Sequence, residues 1–237
     1  MRKFLLTLLL IFLAVSTFAC PLCNKDVRDA IYDSQFYPNL LIMLSAFIVL
    51  SIIVVIMTVV TNKRHRTWTA ANPNVKVLSP VPLTTASTII GIGVGGFVDG
   101  IVLHQILQVH EMLSNKIPAT NYIGKSVNMF WDGIFHLFCL IVAVVGVILL
   151  WKLMLRNDVD RSGKLFIAGL LFGWGIFNLV EGIFDHQILK LHNVIEYANN
   201  HAPGNYAFLG VSVIMLIIGY ALFNSENKKR YVTTTGY

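Results

Sequence analysis

Five apolar runs, each near the length of a bilayer-crossing helix, limit this chain more than any other feature. They cover roughly residues 40–60, 83–109, 130–151, 165–189 and 206–223. About 20 apolar residues span the hydrocarbon core as a helix. The strands of a barrel would alternate and these runs do not, so backbone hydrogen bonding in lipid leaves helices. Composition agrees: 13% of the 237 residues are charged, about half the roughly 25% usual in soluble domains. That deficit excludes a disordered chain, a nucleic-acid-binding tail and an ordinary cytosolic enzyme. The expected fold is an all-α integral membrane protein, a signal peptide followed by five transmembrane helices.

Arg2 and Lys3 precede an apolar stretch, and Thr17-Phe18-Ala19 offers small residues before Cys20, the pattern of a secretory signal over residues 1–19. Lys and Arg then orient the spans. Lys63, Arg64, Arg66 and Lys76 follow the first run, Lys152, Arg156, Arg161 and Lys164 the third, and Lys228, Lys229 and Arg230 the last. The opposite side holds only Lys25, Arg28, Lys116, Lys125 and Lys190. The basic side is therefore cytoplasmic, and the mature N-terminus is expected to face outward. The chain divides into an outward segment 20–39, an extra helix 40–60, a basic cytoplasmic loop 61–82, a four-helix unit 83–224 and a cytoplasmic tail 225–237.

That four-helix unit reads as a duplication. Residues 91–110 and 173–192, an offset of 82, share ten of twenty positions, among them Gly91/Gly173, Gly100/Gly182, His104/His186, Gln105/Gln187 and His110/His192. Asp99 is matched by Glu181, which keeps a carboxylate. Two unrelated apolar helices would share about two such positions, so each two-helix repeat is expected to have the same orientation, related by an axis along the membrane normal. The glycines Gly91, Gly93, Gly95 and Gly96 follow no strand, so they read as close helix packing and not as a nucleotide loop.

Ionisable residues inside a span are costly and mark function by default. Asp99, His104 and His110 belong to the second run, Asp132 and His136 to the third, and Glu181, Asp185, His186 and His192 to the fourth. With alternating span directions all nine fall at one depth, near the outer face. At about 100° per residue, taking Asp99 as zero, His110 falls near 20° and His104 near 140°, on a polar arc. Imidazoles and carboxylates projecting from several helices suit a metal site in a bundle. The donor set fits zinc, iron, manganese or copper(II). His104 and His186 are the first choices as ligands, Asp132 and His136 the next. Asp99 and Glu181 either ligate or orient imidazoles, and they are the candidate catalytic carboxylates. His110 and His192 are expected at a rim. A bis-histidine haem is the less favoured cofactor, because adjacent carboxylates suit metal–hydroxide chemistry better.

Cys20 and Cys23 form a C-x-x-C pair in the outward segment. A disulfide, an acylated Cys20, a redox dithiol and a soft copper(I) site all remain open. Cys139 lies mid-span and reads as core.

The repeated Asp/Glu-Gly-Ile-x-x-His-Gln-Ile-Leu-x-x-His, with the Asp-Gly-Ile-Phe-His of Asp132 to His136, resembles an uncharacterised bacterial membrane-protein family, the domain of unknown function 2243. The resemblance covers roughly residues 82–223. It implies, by association only, a role around respiratory oxidases or their assembly factors. Metal handling during oxidase assembly is therefore the leading expectation. A membrane metalloenzyme, oxidoreductase or hydrolase, is the alternative, and a proton or ion carrier is a third reading. The lipid bilayer is the partner the sequence itself requires.

Overall fold

The computed structural model describes residues 24–73, 78–157 and 159–235, with side chains to 227. The signal-peptide reading and the Cys20/Cys23 pair lie outside these residues. The described chain is helical: α1 (Lys25–Ile31), α2 (Phe36–Ala71), α3 (Val81–Val98), α4 (Tyr122–Met154), α5 (Gly163–Ile183) and α6 (Ala202–Thr235). Short π-helical segments, Asp99–Ile106 and Phe184–Ile188, extend α3 and α5. Five of these helices are long and apolar enough to cross a membrane.

The apolar runs understated the outer helices. The Phe36–Ala71 helix has 36 residues, roughly 54 Å at 1.5 Å per residue, well beyond a hydrocarbon core of about 30 Å. Lys63, Arg64 and Arg66 therefore sit on its last turns, where a loop was expected, because straight-chain basic residues continue a helix readily. The α1 helix begins where the Asn24 side chain accepts from the Asp26 and Val27 N–H groups. Its Val27 and Ile31 are buried.

α3 and α5 form the central pair; α4 packs on α3 and α6 on α5. Burial separates the layers. In the most apolar stretch of α3 and of α5 56% of residues are buried, against 22%, 17% and 11% in α2, α4 and α6. The outer helices leave Ile52, Val55, Ile141, Val144, Ile214 and Ile217 exposed, as a lipid-facing surface requires. The central pair touches backbone to backbone at Gly91 and Gly173. A Cβ on Gly91 would meet the Leu170 carbonyl, and one on Gly173 the Thr88 carbonyl. Both the glycines and the residues they meet are 82 apart. The alternating helix directions put the C-terminal ends of α3 and α5 beside the N-terminal ends of α4 and α6, and the polar residues gather there.

Candidate metal centre

The site begins with a change of helical pitch. From Asp99 and from Phe184 the backbone widens into π-helix, closed by i→i−5 bonds from Leu107 N–H to Val102 O (2.8 Å) and from Leu189 N–H to Phe184 O (2.7 Å). In an α-helix Asp99 and His104, five apart, lie about 140° from each other. The wider turn brings i and i+5 towards one face, so His104 Nε2 lies 3.0 Å from Asp99 Oδ2. The angles expected at the α-helical period are corrected by this pitch.

Each helix then ends at a non-glycine residue in the left-handed region, Gln108 and Lys190, both with φ of 50°. That conformation costs about 1–3 kcal/mol and turns the chain back towards the bundle. The Val109 N–H bonds Leu103 O and the Leu191 N–H bonds Asp185 O. His110 and His192 therefore do not form the expected rim. They point inward, 2% and 0% exposed, and stack with centroids 4.7 Å apart and planes 2° from parallel.

Three imidazoles are anchored through Nδ1 to groups that can only accept. His104 Nδ1 lies 2.9 Å from Asp132 Oδ1, His110 Nδ1 2.9 Å from Val194 O, and His192 Nδ1 3.1 Å from Met112 O. Burial, followed by the charges of His192 and His104, pulls His110 well below the ordinary imidazole value. Burial likewise pulls His192 down. Near neutral pH both are uncharged, so Nδ1 carries the proton and Nε2 presents a lone pair. These Nε2 atoms converge with His104 Nε2 and a Glu181 oxygen, the four donors lying within 4.8 Å of one another. A ring nitrogen facing a carboxylate needs a proton or a metal ion between them; His192 Nε2 stands at hydrogen-bond distance, 3.3 Å, from Glu181 Oε1 and His104 Nε2 3.0 Å from Asp99 Oδ2. The Asp99 oxygens, His104 Nε2, His110 Nε2, Glu181 Oε2 and His186 Nε2 are all buried without a hydrogen bond, a concentration that folded proteins avoid.

The other expected residues take different places. His186 Nε2 lies 3.7 Å from Glu181 Oε1, beside His192. Asp99 and Glu181 both face Nε2 atoms, the side on which a ligand would sit. Asp132 orients His104 instead of joining the convergent donors: its Oδ1 also accepts the Met112 N–H at 3.0 Å. His136 is not among the four convergent donors; its imidazole fills the space that the missing Gly100 side chain leaves and stacks on Phe97, with Nε2 buried without a hydrogen bond. Gly182 admits Leu209 in the same way. Asp185 is buried with Oδ1 unpartnered. Cys139 is buried with its Sγ against Gly96.

The sequence reading missed the supports. Asn128, fully buried, accepts from the Leu113 N–H and donates to the Ile117 and Gly124 carbonyls. Its spacing of four from Asp132, on one helical face, was the available signal. Glu196 accepts from the Asn193 N–H and the Ser114 hydroxyl, and Lys125 pairs with Glu111. Burial pushes the Glu111 carboxyl up, and Lys125 opposes it. Two recesses flank the cluster. One, about 320 Å³, is lined by His110, Glu111, Ser114 and Glu196; the other, about 530 Å³, by His186, Lys190, Asn193 and Asn205.

No curated protein and no solved structure matches the chain. A family model described as a predicted membrane protein, DUF2243, matches residues 86–226, which takes in both π-helical segments and every donor named above. The chain is a member of the DUF2243 family of membrane proteins.

Proposed function

We propose that this chain is a membrane metalloprotein with a resident transition-metal centre built from imidazole and carboxylate donors. One observation carries the reading: three imidazoles anchored through Nδ1 turn their Nε2 atoms onto buried carboxylates. Anchoring a ligand imidazole by its other nitrogen is the usual support of a metal site. Nitrogen and oxygen donors suit zinc, iron, manganese or copper(II). Bound there, such an ion would supply Lewis acidity to water or dioxygen. Around it His104, His110, His186, His192, Asp99 and Glu181 are the ligand residues, and Asp132 positions His104. Asp185 is the spare carboxylate able to hold a proton beside His186. Phe135, itself buried, stacks on His104 and packs one side of the cluster with apolar surface.

The distribution of Lys and Arg supports an outward-facing site, and the offset of 82 shared by sequence, glycine crossing and chain reversals supports the duplication. Near-complete burial and the absence of any cysteine from the cluster, among the described residues, favour retained metal and membrane metalloenzyme chemistry over transfer. Metal handling in oxidase assembly is the second reading, favoured by Cys20 and Cys23. Both are tested on untagged protein purified in detergent without added metal, analysed by mass spectrometry before and after a chelator. The resident-centre reading expects metal that survives the chelator, is lost from a His104→Ala/His192→Ala variant and persists in Cys20→Ser/Cys23→Ser. Metal absent from the parent refutes both readings. Metal removed at once by the chelator, with loading that depends on the cysteines, favours handling.

A further inference from the structure

We infer that the centre takes two divalent ions, one on Asp99, His104 and His110 and the other on Glu181, His186 and His192. This rests on the metal-centre reading and deepens it.

The donor geometry divides by repeat. Asp99 lies 3.0 Å from His104 Nε2 and 3.8 Å from His110 Nε2. Glu181 Oε1 lies 3.3 Å from His192 Nε2 and 3.7 Å from His186 Nε2. Two donors on one ion, each about 2.1 Å from it, stand roughly 3–4 Å apart, so each carboxylate already holds ligand spacing to two imidazoles of its own segment. The divisions correspond residue by residue at an offset of 82.

A single ion leaves the inventory unbalanced. An ion on the four convergent donors, His104, His110, Glu181 and His192, does not use Asp99 or His186. Both Asp99 oxygens and both His186 nitrogens would stay buried without a hydrogen bond. Each such group costs about 1–3 kcal/mol, more if charged. The charge count points the same way. Asp99, Asp132 and Glu181 are each 2–3% exposed, a formal −3 if ionised, and Asp185 beside them adds a fourth buried carboxyl that can carry a proton. Among the described residues Asp99, Asp132 and Glu181 face imidazoles, with no Lys or Arg paired to them. Two divalent ions bring +4.

The halves are also tied to each other in a way that sets a pair of ions side by side. His110 is anchored on Val194 O and His192 on Met112 O. Each imidazole is thus held by the other half's loop, and the anchoring carbonyls are again 82 apart. The His110 ring of one set stacks directly on the His192 ring of the other. Paired metal ions about 3.5–4 Å apart clamp two oxygens of one substrate or bridge a hydroxide, so the chemistry implied is hydrolytic or dioxygen-based.

The test counts metal per chain. Untagged full-length protein is produced in metal-depleted cells, dialysed in detergent against excess Zn(II) and then buffer, and its zinc is measured against amino-acid analysis. Two per chain is expected, falling to one in His186→Ala and to one in the reciprocal Asp99→Asn. Elution volume and thermal midpoint confirm that each variant is folded, and Mn(II)-loaded parent protein is examined in parallel for a spin-coupled resonance. One zinc per chain in the parent, with an uncoupled manganese spectrum, overturns the two-ion inference and leaves the metal centre standing. Zero overturns both. Two in the parent but none in either folded variant overturns the division by repeat.

Discussion

Replacing Asp132 separates the metal centre from the fold that supports it. Its Oδ1 accepts both the Met112 N–H (3.0 Å) and His104 Nδ1–H (2.9 Å). Asp132→Ala abandons both buried donors, at about 1–3 kcal/mol each, so the metal-free protein should lose about 2–6 kcal/mol. Asp132→Asn keeps an oxygen in that place and both bonds; it removes the charge that makes His104 Nε2 a stronger donor and puts an NH2 in place of Oδ2. Loss of such a supporting partner typically costs 10–100-fold in metal affinity. The Asn variant should therefore melt near the parent without metal, yet bind Zn(II) roughly 10–100-fold more weakly in competition with a chromophoric chelator. Unchanged zinc affinity in Asp132→Asn, or in a folded Asp132→Ala, would refute the role given to Asp132.

Three further perturbations have definite outcomes. His136→Ala should leave metal content unchanged, because that imidazole packs beside Gly100 and Phe97 and is not among the four convergent donors; metal analysis decides it, and a loss would return His136 to the ligand set. Gly173→Ala places a Cβ on the Thr88 carbonyl at the α3–α5 crossing, an overpacking worth about 1–3 kcal/mol that a lowered thermal midpoint would register. Acid should destabilise the metal-free protein. His110 and His192 are pulled below 6.5 in the folded state, chiefly by burial, so the unfolded chain binds more protons once pH falls below about 6.5. The contribution of these two imidazoles is then full above that value and falls by up to roughly 1.4 kcal/mol per group per pH unit until the folded values are reached. Unfolding measured between pH 7.5 and 5.5 checks the sign, and a flat profile would refute it.

The helices and the gathering of polar residues at one end were legible, because apolar length and span direction are written in residue type. The pitch was not. Asp99 and His104 are five apart, a spacing that places them on different faces of an α-helix and on nearly one face of a π-helix, and nothing in the apolar pattern distinguishes the two. The inward turn of His110 and His192 depends on Gln108 and Lys190 at positive φ, where residue type would lead one to expect glycine or asparagine. The carbonyls of Met112 and Val194 anchor two imidazoles, yet every residue carries a carbonyl, so no side chain announces them. His136 falls outside the four convergent donors for a related reason. Its spacing from Asp132 puts both on one face of α4, but that face is wide enough to meet the cluster at one residue and Gly100 at the other.

X-ray absorption of the protein as purified, at the edge of whichever metal it carries, tests the central claim most directly. The account predicts a first shell of nitrogen and oxygen alone, at about 2.0–2.2 Å, with the outer-shell scattering of several imidazoles. A sulfur shell near 2.3 Å, or a protein that carries no metal, would contradict it.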